Sequence, residues 1–300
     1  MRFSLSFIAL VAFGLHACHA VDGASGTDGK QLVWSDEFEG SHLDKRKWKA
    51  ELSCWGGGNN ERQCYVDDID NIRVEDGMLI LTAKPRTHSA EQFPQDAADR
   101  GEIVTQTYTS GKVRTKGLAS WTYGRFEARI QLPKGQSTWP AFWLLPETNV
   151  YGGWPLSGEI DVMEAINLGA ICETCDGGQE NRSSGALHFG ETWPENRFLA
   201  KKKALSGAAI DDWYVYAVDW REDRMEWSVD GEIFFSVESK DWFTPGVEKS
   251  QNAIAPFDQP FYLMLNLAVG GNLPDNKNEK EFNPNSFPAE MKIDWVRIYD

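Results

Sequence analysis

Short apolar runs separated by turn residues recur along most of the chain and predict β-strands. Val, Ile, Phe, Tyr and Trp are frequent in these runs, several runs alternate with period two, and no long helical period is present in the sequence. The predicted strands span residues 71–83, 110–116, 124–132, 141–145, 158–164, 185–189, 213–220, 224–229, 232–237, 261–269 and 291–299. Asp-Gly pairs at 76–77 and 230–231 predict two tight hairpins.

The regular spacing of these strands favours one all-β domain, a sandwich or a jelly roll, over residues 31–300. Residues 261–267 are almost continuously apolar, as expected for a strand that is buried on both faces. The polar stretch 87–105 is expected to be a surface excursion, because no change in composition marks a second domain.

The N-terminal residues predict export. Arg2 precedes an apolar run that ends in small residues, so residues 1–20 have the features of a signal peptide. An alternative is a lipoprotein signal with lipid attachment at Cys18. Residues 21–30 are rich in Gly, Ser and Asp and are expected to form a flexible tether. We therefore expect a secreted, periplasmic or lipid-anchored protein without membrane insertion.

Charge and cysteine content narrow the expected partners. The 300 residues carry a formal net charge of −15, which disfavours nucleic acid and anionic membranes and favours a neutral ligand. Cys54, Cys64, Cys172 and Cys175 are even in number in an exported chain, so two local disulfides are expected. A metal site at Cys172 and Cys175 is less favoured, because no second ligand pair completes it.

Three carboxylates in one predicted strand are the strongest chemical signal. On a regular strand Glu159 and Asp161 share one face, about 6.6 Å apart, whereas Glu164 points to the other face. A β-bulge at Val162 or Met163 would return Glu164 to the first face. All three acids would then line one surface.

Such a cluster suits three different roles. Two carboxylates can hydrolyse a glycosidic bond, and a separation of about 5 to 5.5 Å gives retention of configuration. Crowding of the acids would raise one pKa and supply a proton donor. Carboxylates also bind hard cations such as Ca²⁺, and isolated acids on a solvated strand face are common. The spacing alone leaves these alternatives open.

Six short segments spread over nearly the whole mature chain form one recognisable set. Besides the acidic segment 159–164, they are WGGGNNE at 55–61, YGRFEAR at 123–129, WPAFWLL at 139–145, HFG at 188–190 and DWVRIY at 294–299. With these segments the chain resembles glycoside hydrolase family 16, in the form with one extra residue before the last glutamate, and within it the bacterial laminarinases.

The resemblance implies a concanavalin A-like jelly roll of two antiparallel sheets with an open substrate cleft. It also implies retaining endo-hydrolysis of 1,3-β-glucosidic bonds in neutral laminarin-type β-glucans. Glu159 would be the nucleophile, Glu164 the acid/base and Asp161 the residue that assists them. The alternatives are a non-catalytic β-glucan-binding protein, or a hydrolase of mixed-linkage glucan, agarose or carrageenan.

Aromatic residues are the expected sugar platforms. Trp139 and Trp143 share one strand face and are candidates for stacking on sugar rings, although most tryptophans belong to a core. Trp55 and Trp154, beside glycine-rich turns, are expected at the rims or in structural packing. His188 would be either a buried hydrogen-bonded histidine or, as the resemblance implies, a residue near the leaving group that orients Glu164 or the sugar.

The resemblance implies further binding residues and a structural ion. Asn60, Glu127 and Arg129 match family positions near the sugar sites, with a surface salt bridge as the alternative for the last two. No cofactor is expected for catalysis. A structural Ca²⁺ on the convex side would be held by the Asp294 carboxylate and by main-chain carbonyls of Glu37 and Gly77. The protein is expected to be a monomer.

Overall fold

The computed structural model describes residues 29–205 and 212–300, and it is built almost entirely from strands. The predicted signal peptide, the Cys18 anchor and nearly all of the tether lie outside the described residues. The strands are β1 Leu32–Asp36, β2 Lys49–Ala50, β3 Gln63–Tyr65, β4 Ile72–Glu75, β5 Met78–Glu91, β6 Ile103–Ser110, β7 Lys112–Arg114, β8 Gly124–Gln131, β9 Thr138–Pro146, β10 Glu159–Glu164, β11 Arg182–Gly190, β12 Asn196–Ala204, β13 Trp213–Trp220, β14 Arg224–Val229, β15 Glu232–Glu238, β16 Phe261–Val269 and β17 Ala289–Tyr299. Short 3₁₀ turns occur at Gly56–Gly58, Asp176–Gly178, Ser239–Asp241, Pro274–Asn276 and Pro284–Ser286.

The strands form the two sheets of a jelly roll, which confirms the predicted fold class. One sheet has seven strands in the order β12-β11-β10-β9-β16-β7-β2, and all its pairs are antiparallel. The other has ten strands, with the path β15-β14-β13-β8-β17-β5-β6-β3, β1 beside β17 and β4 beside β5. In this larger sheet only β3 and β6, among the described pairs, run parallel.

One apolar core lies between the sheets. Ile160, Val162 and Met163 of β10 belong to it together with residues of the larger sheet such as Trp227 and Val296. The face of the seven-stranded sheet that points away from this core is called the site face below. Side chains on the site face alternate with core side chains along each strand, as expected for a pleated sheet.

Both predicted hairpins are present. Glu75 pairs with Met78 and Val229 pairs with Glu232, so each loop consists of one Asp-Gly pair. Asp76 and Asp230 have φ values of 52° and 49°, and the glycine that follows each also has positive φ. Positive φ at both central residues defines the type I′ turn, whose twist fits an antiparallel hairpin.

The polar stretch 87–105 contains more regular structure than expected. β5 continues to Glu91 and β6 begins at Ile103, so much of the stretch is paired in a hairpin. The outer part of β5 alternates between exposed and half-buried residues, and its Ala90 packs against a small cluster of Cys54, Cys64 and Val66 rather than against the main core. A polar composition therefore concealed a strand that contributes little to the core.

Both predicted disulfides are present. Cys54 is bonded to Cys64 and Cys172 to Cys175. The first bridge closes the glycine-rich loop that carries Asn60, and the second lies in the loop between β10 and β11. Among the described residues, no helix has the length and apolar character needed to cross a membrane.

Trp227→Phe should destabilise the protein more than Trp220→Phe. Trp227 Nε1 donates a hydrogen bond at 2.8 Å to the Asp161 carbonyl, whereas Trp220 Nε1 has no partner among the described residues. Both rings are fully buried, so the loss of ring volume is matched. Only the first change removes a hydrogen bond to a buried carbonyl, at a cost of about 1–3 kcal/mol. Urea unfolding of both variants would measure the difference, and equal losses would contradict the role of this bond.

Candidate active site

A β-bulge in β10 brings the three carboxylates to the site face. Between Asp161 and Glu164 the strand advances three residues while β11 advances two, from Ala186 to Ser184. Pairing with β9 shows the same shift, from Trp143 to Ala141. Val162 and Met163 are consecutive and both face the core, so the alternation is reset before Glu164. The predicted bulge is confirmed.

Each outer glutamate accepts a hydrogen bond from an indole. Trp154 Nε1 lies 2.7 Å from Glu159 Oε2, and Trp139 Nε1 lies 2.9 Å from Glu164 Oε1. These bonds hold one oxygen of each carboxylate. Because the donors come from different segments, the two glutamates are fixed independently of each other.

Burial and crowding shift the proton affinities of these acids. Burial raises the pKa of the Asp161 carboxyl well above its usual range, and the charges of Glu159 and Glu164 add to the rise. Burial also raises the pKa of Glu164, although His188 and the Trp139 hydrogen bond oppose it. A buried acid with a raised pKa is suited to donate a proton near neutral pH.

His188 lies at the other end of the acid cluster from the position implied by the resemblance. It pairs with Glu159 across β10 and β11, and its Nε2 atom is 3.8 Å from Glu159 Oε1 and 3.3 Å from Asp161 Oδ2. Burial favours neutral imidazole, but the charges of Glu159 and Asp161 raise the pKa of His188 to about 10. His188 is therefore a half-buried cation that contacts Glu159 and Asp161 rather than Glu164, and its contact with the sugar stays a prediction.

Trp139 and Trp143 both lie on the site face, as their shared parity allows. They are half-buried, and Phe142 between them and Leu144 after Trp143 point into the core. Trp139 contacts Glu164, whereas Trp143 Nε1 donates to Asn266 Oδ1 at 2.7 Å. The two rings thus extend from the acids toward β16, where they are placed to contact a sugar chain.

Three contacts on the site face were not predicted from the sequence. Trp154 was expected at a rim, yet it binds Glu159 directly. Asn266 is a polar residue inside the apolar run of β16, and this interruption was the available signal. Lys112 of β7 pairs with Asn266, and its Nζ atom lies 4.9 Å from the Trp143 ring centroid. A charged residue within a buried predicted strand was the signal for Lys112.

Glu127 and Arg129 do not reach the site face, and their predicted role as sugar-binding residues is wrong. β8 belongs to the ten-stranded sheet, where Phe126, Ala128 and Ile130 face the core. Glu127 and Arg129 therefore point away from the other sheet. Glu127 is fully buried and accepts a hydrogen bond from Arg125 at 2.8 Å, and Arg129 binds Asp294 at 2.6 Å. The salt-bridge alternative is closer to the structure.

Asn60 lies in the loop closed by the first disulfide. Its side chain is exposed and donates to Asn272 Oδ1 at 2.9 Å, which joins this loop to the segment after β16. The neighbouring Glu61 is buried, and its charge contributes to the raised pKa of Glu164. The loop thus borders the acid cluster, and contact of Asn60 with a sugar stays a prediction.

Arginines occupy side-chain oxygens at the predicted calcium site. Arg297 binds both oxygens of Glu37 at 3.0 and 2.9 Å, and Arg129 binds one oxygen of Asp294. The site stays a prediction. If it holds Ca²⁺, a chelator should lower the melting temperature and added Ca²⁺ should restore it. An unchanged melting temperature would contradict binding of Ca²⁺ at this site.

Trp139→Phe should move the alkaline limb of the pH profile of kcat/KM upward. The lost Nε1 donor stabilises the ionised form of Glu164, so the pKa of Glu164 should rise further. Trp143→Phe is the matched control, because its indole donates to Asn266 instead. The profiles would be measured on a soluble glucan. Equal shifts of the alkaline limb in both variants would show that the hydrogen bond from Trp139 to Glu164 does not determine its position.

Comparisons with known proteins identify the family of the chain. A family model described as the GH16 domain of β-porphyranases A–D matches residues 30–300. The chain is 39% identical over 281 residues to glucan endo-1,3-β-glucosidase A1 of Niallia circulans, covering 90% of this chain and 38% of that protein. It thus spans less than half of this relative's length.

Two further comparisons cover most of both proteins. A β-glucanase of Rhodothermus marinus is 36% identical over 276 residues, which cover 90% of this chain and 85% of the relative. The crystal structure of the laminarinase from Rhodothermus marinus superposes with a TM-score of 0.71 at 33% identity, covering 90% of this chain and 97% of that structure. The chain therefore belongs to glycoside hydrolase family 16 and is a glycoside hydrolase.

Proposed function

We propose that this enzyme hydrolyses internal 1,3-β-glucosidic bonds of laminarin-type β-glucans with retention of configuration. The observation that carries the proposal is the bulge in β10, because it brings Glu159, Asp161 and Glu164 onto one face. The names of the relatives from Niallia circulans and Rhodothermus marinus support a β-glucan as the substrate. The half-buried indoles of Trp139 and Trp143 support a neutral sugar chain.

The proposed reaction has two displacements. In the first, a Glu159 oxygen attacks the anomeric carbon, the glycosidic C–O bond breaks and Glu164 gives its proton to the leaving oxygen. In the second, Glu164 takes a proton from water, the water oxygen attacks the same carbon and the ester bond to Glu159 breaks. His188 and Asp161 remain bound to each other beside Glu159 and balance its changing charge.

Product analysis on three polysaccharides tests the proposal. Laminarin, lichenan and agarose would be digested, and the new reducing ends and oligosaccharide lengths measured. We expect fast cleavage of laminarin to mixed oligosaccharides, with the β-anomer appearing first in NMR spectra. Initial α-anomer would contradict retention, and cleavage of agarose alone would contradict the substrate. Release of glucose alone would contradict internal cleavage.

Two alternatives make different predictions in the same assay. A β-glucan-binding protein would retain laminarin without producing reducing ends, and the presence of both glutamates on the site face favours hydrolysis over binding alone. A hydrolase of mixed-linkage glucan would prefer lichenan. Export and a monomeric state complete the proposal, with lipid attachment at Cys18 as the alternative to a secreted or periplasmic form. Mass spectrometry of the natural N-terminus would distinguish these forms, and sedimentation would test the monomeric state.

A further inference from the structure

A basic pocket opens beyond Glu164 toward the β12 edge of the seven-stranded sheet. Its volume is about 600 Å³, and it lies between the loop that contains the second disulfide and the segment 277–280. Four basic side chains line it, namely Arg182, Lys202, Lys277 and Lys280. We call it the lysine pocket. None of these residues takes part in the proposed reaction.

Strand pairing places the lysine pocket in line with Glu164. Glu164 pairs with Ser184 of β11, and Ser184 pairs with Lys202 of β12. Paired residues point to the same side of a sheet, so Lys202 shares the site face with Glu164. Two strand spacings separate them, which is about 10 Å. A sugar chain that runs across the strands past Glu164 would therefore reach Lys202.

The cations of the lysine pocket are not neutralised evenly. Arg182 is paired with Glu180 through two guanidinium hydrogen bonds of 2.7 Å each. Within residues 29–205 and 212–300, Lys202, Lys277 and Lys280 form no ion pair. The other acids that line the pocket are Glu173 and Glu279, and Glu279 accepts a hydrogen bond from the backbone N–H of Ile171. A local excess of positive charge thus lies on a chain of net charge −15.

The electrostatic state of Lys202 agrees with this excess. Burial lowers the pKa of Lys202, and the positive charges of Arg182 and Lys277 lower it further, whereas Glu180 opposes the change. An ammonium group beside other cations gains from a bound anion, which relieves the repulsion. The surroundings of Lys202 therefore favour binding of an anion by its side chain.

The walls of the lysine pocket are fixed by buried polar contacts. Asn278 Nδ2 donates to Glu180 Oε2 at 3.2 Å, and Asn167 Nδ2 donates to the Pro274 carbonyl at 2.8 Å. The Cys172–Cys175 disulfide holds the opposite wall. The pocket is therefore formed before any ligand arrives, which reduces the entropy cost of binding.

We propose that the lysine pocket is a subsite for an anionic substituent, a sulfate half-ester or a carboxylate, on the sugar chain that extends past Glu164. This inference rests on the proposed function, because it assumes that a β-glucan chain crosses the site face. It adds substrate selection to that function: the enzyme cleaves neutral laminarin and is faster on chains that carry such groups.

Charge-removing variants test the lysine pocket. The variants are Lys202→Gln, Lys277→Gln and their double variant, and the control is Lys201→Gln on the opposite face of β12. Substrates are laminarin, partially sulfated laminarin and laminarin oxidised to glucuronate at a fraction of C6 positions. The double variant should lower kcat/KM on a modified substrate about tenfold at low salt and leave laminarin unchanged. The effect should largely disappear at 0.5 M NaCl.

The outcomes separate this inference from the proposed function. A lower kcat/KM on sulfated laminarin alone identifies sulfate as the ligand. A lower kcat/KM on oxidised laminarin alone identifies carboxylate. Unchanged ratios between modified and unmodified substrates, or an equal loss in Lys201→Gln, would overturn the inference. If the wild type does not cleave laminarin, the proposed function fails instead. Binding of the three glucans to Glu159→Gln would still report on the pocket, since it requires no turnover.

Discussion

Glu159→Gln should abolish hydrolysis of every substrate, whereas Glu164→Gln should spare substrates with a good leaving group. An amide in place of Glu159 cannot form the covalent intermediate, so we expect a loss of about 10⁴-fold or more in kcat. Glu164→Gln removes the proton donor, which typically contributes about 10²–10⁴-fold. An activated aryl glycoside needs no proton for its departure, so its first step should remain fast.

The measurement is stopped-flow release of the aryl group together with laminarin turnover. Glu164→Gln should show a burst of the aryl product followed by slow turnover, because hydrolysis of the intermediate needs the base. Glu75→Gln, beside an exposed turn, provides the control for a neutralised glutamate. A laminarin rate near that of the wild type in either active-site variant would refute the assignment. A burst in Glu159→Gln would remove that residue from the role of nucleophile.

His188→Asn should lower kcat/KM about tenfold or more and change the pH profile. The imidazolium lies within 4 Å of two carboxylates, with Nε2 at 3.8 Å from Glu159 and 3.3 Å from Asp161. Its charge also lowers the pKa of Glu164, so removal should raise that pKa and move the alkaline limb upward. A shift of one unit corresponds to about 1.4 kcal/mol between protonation states.

Phe198→Leu is the control for His188→Asn, because Phe198 stacks on the His188 ring at 5.6 Å without carrying charge. Phe198→Leu should leave the alkaline limb of the pH profile in place.

The positive charge of His188 also affects the stability of the fold. Since folding raises the pKa of His188 to about 10, its contribution is complete below pH 6.5 and is lost as the pH rises toward 10. Unfolding of His188→Asn should thus depend less on pH in this window, and identical curves would contradict the shift.

The sequence predicted the strands that build the core and the bulge that carries the chemistry. β13, β14 and β16 have the predicted bounds, because their apolar residues face a core on at least one side. β12 was not predicted. It is an edge strand with exposed lysines and an exposed Phe198, so no pattern of burial is written into its residues. Periodicity detects strands through the core that they cover, and β12 covers little of it.

Errors at the site arose from sheet assignment rather than from strand assignment. The alternation in β8 correctly placed Glu127 and Arg129 on one face, but strand parity does not reveal which sheet a strand joins. Only the pairing of β8 with β13 and β17 places these residues on the far side of the molecule. His188 was also found on a strand as predicted, yet its register opposite Glu159 depends on the hairpin between β10 and β11.

The extra residue in β10 also determines how many residues can be deleted from this strand while all three acids stay on the site face. Loss of Val162 or Met163 would give a five-residue strand in which the two glutamates and the aspartate occupy alternate positions, so all three would still point outward. Loss of both would turn the last glutamate into the hydrophobic interior. Homologous strands one codon shorter can therefore present the same three acids, and lineages can gain or lose this codon without inverting the catalytic surface.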